Sequence, residues 1–158
     1  MSSGTKFFGQ HGQRAAVLAV LLAALQCAAA PASPEDEHRR GLQAYHRGDV
    51  STAMSLLRGP AAAGHAPAQA LLAFILDRAD FADEALRLYR AAAAQGDAEA
   101  HAGLANLLLT GRGIAKDEKQ ALEHFSKAAA LGHVPAIQVL ADAHLKGLMG
   151  LGQAPQDH

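Results

Sequence analysis

Nine histidines in 158 residues raise the question of a metal or catalytic centre. Zinc sites use short ligand spacings such as paired cysteines in structural sites or H-E-x-x-H in catalytic ones. None occurs here, and the one cysteine, Cys27, has no partner. His101, His124 and His144 lie on separate segments without ligand spacing, and His11 lies near the N-terminus. His65 and His133 stand one residue after Gly64 and Gly132, where Asp97 follows Gly96. That equivalence marks all three as helix-start residues, so no metal site is expected. Beyond residue 32 the serines are Ser33, Ser51, Ser55 and Ser126, and none sits in a G-x-S-x-G elbow. Gly111-Arg112-Gly113 is too short for a phosphate loop and follows a helical pattern, not a strand. Asp80, Asp83 and Glu84 suit the positive end of a helix. No catalytic residue and no cofactor are expected.

The elements behind these residues are helices. Apolar residues make up 50% of the chain but aromatics only 4%. Alanine dominates the apolar share, and alanine is the best helix former. β-Branched and aromatic strand formers are scarce.

The N-terminus reads as a secretory signal. Lys6, His11 and Arg14 precede the apolar run AAVLAVLLAAL from Ala15 to Leu25. Its 11 residues fall short of the ~20 that a membrane span needs, which disfavours an uncleaved anchor. Ala30 and Ala32 place cleavage before Ser33. The alternative is lipidation at Cys27, which Gln26 fits poorly as the preceding residue. Removal of residues 1–32 takes away Lys6 and Arg14 and leaves a net charge of −3. This gives no basic stripe for nucleic acid and no polybasic attraction to a membrane.

Self-comparison organises the rest. The stretches from Ala53, Ala85 and Ala121 align without a gap. Each alanine lies 11 residues before a glycine (Gly64, Gly96, Gly132). Ala68, Ala100 and Ala136 follow the glycines by four residues, and Ala73, Ala105 and Ala141 by nine. Leu57, Tyr89 and Phe125 form a bulky column expected in the core. The spacing predicts seven helices: 35–47, 50–63, 66–78, 81–95, 98–110, 118–131 and 135–146. Gly59 and Pro60 predict a kink or early end in the second. In the last, Gln138, Asp142 and Lys146 are expected to face water and cap the stack, as the charged first helix would at the other end. The resulting division is a signal at 1–32, a repeat domain at 33–147 and a frayed tail at 148–158.

The segment HAGLANLLLTGRGIAKDEKQALEHFSKAAALGH resembles a Sel-one-like repeat, a relative of the tetratricopeptide repeat. Gly111, Gly113, Asp117, Ala121, Phe125, Ala128, Ala129 and Gly132 fall in that family's register. The earlier copies lack the Gly-x-Gly loop and look like ordinary tetratricopeptide repeats. The resemblance covers residues 35–147 and implies an all-α fold, a right-handed α-α superhelix with a concave face. It implies binding of a protein or peptide partner, and an exported chain of this kind fits the bacterial envelope. The first helix of each pair lines the inner face in this family. Carried over, that register points to His38, Leu42 and Tyr45, then Ala70, Phe74 and Asp77. It continues with Glu99, Ala102 and Asn106, and ends with Gln138 and Asp142. Such an apolar and acidic face suits an extended peptide of basic or amide-rich character. A self-associating structural subunit and a lipid-anchored accessory of an envelope complex are the competing expectations.

Overall fold

A computed structural model describes residues 32–145 and Gly147. The expected signal, Cys27, Lys146 and the tail lie outside the described residues. Among those described are seven helices and no strand. They are α1 (Pro34–His46), α2 (Val50–Ala62), α3 (Ala66–Arg78), α4 (Ala82–Ala93), α5 (Ala98–Thr110), α6 (Glu118–Ala130) and α7 (Val134–Leu145).

Local chemistry sets the helix starts. Ser33, Asp49, Asp97 and Asp117 each accept a hydrogen bond from the backbone N–H three residues on, at 2.8–3.1 Å. His65 and His133 do the same with Nδ1, taking the N–H of Ala68 at 3.3 Å and of Ala136 at 3.1 Å. The histidines are therefore true caps, spaced in step with Ser33 and Asp97. The turn before each of the last three caps needs a left-handed residue. Gly64, Gly96 and Gly132 supply it at φ +87°, +82° and +87°, a region that a β-carbon disfavours.

Pro60 does not end α2 early, because the helix runs on to Ala62. Proline removes one donor, and in the final turn only the carbonyl of Leu56 loses a partner. The ring itself is buried.

Each helix packs antiparallel on the next through alanine. Ala53, Ala85 and Ala121 are fully buried, as are Ala68, Ala100 and Ala136. Without bulk at these crossings the helix axes can approach closely. Leu57, Tyr89 and Phe125 fill the space between, at 0%, 2% and 3% exposure. The core divides into two clusters that meet at α5.

The loop from α5 to α6 is the longest. Gly111 closes α5 in the left-handed conformation. Gly113 passes so near the start of α4 that a β-carbon would lie 3.1 Å from the Ala82 backbone. Between them Arg112 reaches back to α3. It donates to the Asp77 carbonyl at 2.6 Å and to the Asp80 carboxylate at 2.8 Å.

Helix α7 departs from expectation. Gln138 and Asp142 are exposed, but so are Val134, Ile137, Val139 and Leu145. Its open face is largely apolar, because only Ala136 and Ala143 are buried against α6 and its surroundings.

Candidate binding groove

Consecutive first helices of the pairs touch one another: α1 with α3, and α3 with α5. The second helices α2, α4 and α6 show no comparable contact. The stack therefore curves with α1, α3 and α5 on its inner side. Along that side lies a concavity of about 300 Å³, at the lower end of the roughly 300–1,000 Å³ of ligand clefts. It has room for a few side chains of an extended segment.

Leu42 and Tyr45 from α1 and Ala70, Leu71 and Phe74 from α3 form its apolar surface. The Tyr45 and Phe74 rings meet edge to face, with centroids 5.9 Å apart and planes at 85°. The Arg78 guanidinium lies 5.6 Å from the Phe74 centroid, within cation–π range. Both rings are half-buried against the core and keep one edge open. Phe74 thus serves packing and surface at once.

The polar wall comes from His38 and His46 on α1 and from Asp97 and Glu99 at the start of α5. Burial pushes the Asp97 carboxyl above its usual range, and the Ala100 N–H that it caps opposes this. Burial, then the nearby His65, hold His38 below the usual imidazole value. Glu99 keeps its carboxylate exposed and meets His133 Nε2 at 3.1 Å. The lining includes no serine, cysteine or lysine. It offers ring faces and edges to apolar side chains and carboxylates to amide or cationic donors.

Six of the eleven expected surface residues meet in this groove: His38, Leu42, Tyr45, Ala70, Phe74 and Glu99. The other five lie elsewhere. Asp77 turns to the Gly-x-Gly loop, where Arg112 Nη1 stands 3.1 Å from its Oδ1 in an ion pair too misaligned for a hydrogen bond. Asn106 is exposed farther along α5, and Gln138 and Asp142 are exposed on α7. Ala102 is buried. His46, Pro67, Leu71 and Asp97 join the lining without having been expected there. For Asp97 the sequence signal was present but was spent on capping; a cap at the inner edge of a solenoid can also face its groove.

Two histidine pairings were not visible in the spacing. His38 and His65 have ring centroids 5.2 Å apart, with Glu35 Oε2 2.9 Å from His65 Nε2. On the outer side, His101 and His124 share a hydrogen bond between their Nδ1 atoms at 3.0 Å.

Fold and groove together define an all-α helical-repeat solenoid. Residues 66–97 and 98–133 each match the Sel1 repeat. A crystal structure of a Sel1 repeat protein from Oxalobacter formigenes superposes with a TM-score of 0.63 at 28% identity, over 71% of this chain and 46% of that one. A protective antigen present in uropathogenic Escherichia coli strains and displaying an SLR fold gives 0.66 at 31% identity, over 73% of this chain and 26% of that one. An uncharacterized protein of Neisseria meningitidis serogroup B is 37% identical over 133 residues, 80% of this chain. The chain spans 27% of that relative's length.

Proposed function

We propose that this chain is an exported, non-catalytic binding module that holds an extended segment of a partner protein in the groove of α1, α3 and α5. Export rests on the basic, apolar and small-residue order of residues 1–32, and the bacterial envelope is the corresponding location. The observation that carries the binding reading is the Tyr45–Phe74 edge-to-face pair lying open on the inner surface beside two carboxylates. Rigid aromatic surface next to fixed charge is the make-up of a peptide-recognition surface. The acidic wall favours a basic or amide-rich segment with one or two apolar side chains.

Selection of displayed random peptides on the full chain tests this. Peptides carrying Lys, Arg, Asn or Gln beside an apolar residue are expected, with affinity lost in Tyr45→Ala and Phe74→Ala. Selected peptides that bind these variants as well as the parent would remove the groove from the account.

A second reading is favoured by α7, whose exposed Ile137, Val139 and Leu145 offer an apolar face for self-association. A molar mass that rises with concentration, and stops rising when Ile137 and Val139 become Ser, would support it.

A further inference from the structure

Two of the repeat junctions carry the same pair of residues. Glu35 in the first turn of α1 meets His65 at the start of α3, and Glu99 in the first turn of α5 meets His133 at the start of α7. The junction between them has Pro67 and Asp97 in the corresponding places. Among the described residues, only the first pair has a third donor beside it. His38 stands one turn past Glu35, where α5 has Ala102. We propose that Glu35, His38 and His65 form a binding site for a divalent transition-metal ion of the zinc type, with a fourth position left to water or an incoming ligand.

One donor atom from each residue lies within 4.8 Å of the others. Metal–donor distances of about 2.0–2.2 Å place the donors of a tetrahedral ion somewhat closer than that, so a modest contraction is needed. The Glu35 side chain is 69% exposed and can supply it by a change of rotamer. Two imidazoles and one carboxylate suit zinc, cobalt, nickel or copper, whereas calcium and magnesium take oxygen donors. Neither ring nitrogen of His38 has a hydrogen-bond partner among the described residues. In the neutral ring the unprotonated nitrogen supplies the lone pair that a metal ion needs.

The proton on His65 has a defined path. Nδ1 accepts from the Ala68 N–H, so Nε2 carries the proton and donates it to Glu35. Coordination at Nε2 requires that proton to move to Nδ1 through solvent, which gives up the Ala68 bond. At 3.3 Å this is the longest of the six side-chain caps, and so the weakest to lose. The site shares His38 with the groove wall, but its argument does not rest on peptide binding.

The full chain, prepared without a polyhistidine tag, is titrated with Co²⁺ by visible absorption and with Zn²⁺ by calorimetry. One ion per chain is expected, with the absorption of tetrahedral cobalt. His38→Gln and His65→Asn should weaken binding by more than the roughly 10–100-fold that loss of an outer-shell partner costs. Asparagine can still cap α3, so the thermal melt of His65→Asn reports that the fold is kept. His133→Asn should bind as the parent does. The proposal is overturned by the lack of saturable Co²⁺ or Zn²⁺ binding, by binding that survives both His38→Gln and His65→Asn, or by binding lost in His133→Asn.

Discussion

Gly103 and Tyr89 meet so closely that a β-carbon at position 103 would lie 2.3 Å from the Tyr89 ring. Tyr89 is only 2% exposed and has no free space to retreat into. The positions one repeat away from Gly103 are Leu71 and Val139, so the glycine answers this tyrosine and is not a demand of the repeat. In an ordinary helix interior, glycine to alanine gains about 0.5–1 kcal/mol. Here the sign reverses: Gly103→Ala is expected to destabilise by roughly 1–3 kcal/mol through overpacking. Urea unfolding measures it, and Tyr89→Leu in the same chain should recover part of the loss. A Gly103→Ala chain at least as stable as the parent would contradict the packing described.

The histidine caps make a second prediction. His133→Ala should cost about 1 kcal/mol, within the range for lost N-caps, and His133→Asn much less. Equal losses in thermal stability for both would mean that the contact with Glu99, which neither variant keeps, is the larger effect.

Stability should also depend on pH through His101 and His124. Burial, then Lys127, hold His101 below its ordinary value of 6.5. Burial, then His101 and Lys127, hold His124 below it as well. Below pH 6.5 the unfolded chain takes up protons that the folded pair refuses, so stability falls as pH drops and is retained above that value. Urea midpoints at a series of pH values around 6.5 and below should show this decline. His124→Gln removes one member and should make it shallower; an unchanged slope would assign the decline to other groups.

The fold was legible because its signals are local. Helix bounds follow from caps, from glycines after each pair and from apolar spacing, and they fall within about two residues of the expected ones. The alanine and Leu57, Tyr89 and Phe125 columns named the core. The groove was half legible. The repeat register put His38, Leu42, Tyr45, Phe74 and Glu99 on the inner side, but it extends the surface evenly along every first helix. The fold confines it to the first turns of α5 and the two preceding first helices, while Arg112 draws Asp77 away. The histidine pairs were not legible, because they join residues 27 and 23 positions apart across separate helices. Gln138 and Asp142 face water as expected, but the exposed Ile137, Val139 and Leu145 beside them were not legible in the spacing.

The central claim is that the inner groove is the recognition surface. Amide NMR of the full chain, titrated with a selected basic or amide-rich peptide, tests it most directly. Shifts gathered on α1, α3 and the first turn of α5, around Tyr45, Phe74 and Glu99, are the predicted result. Shifts gathered on α7 or on the outer helices α2, α4 and α6 would contradict it.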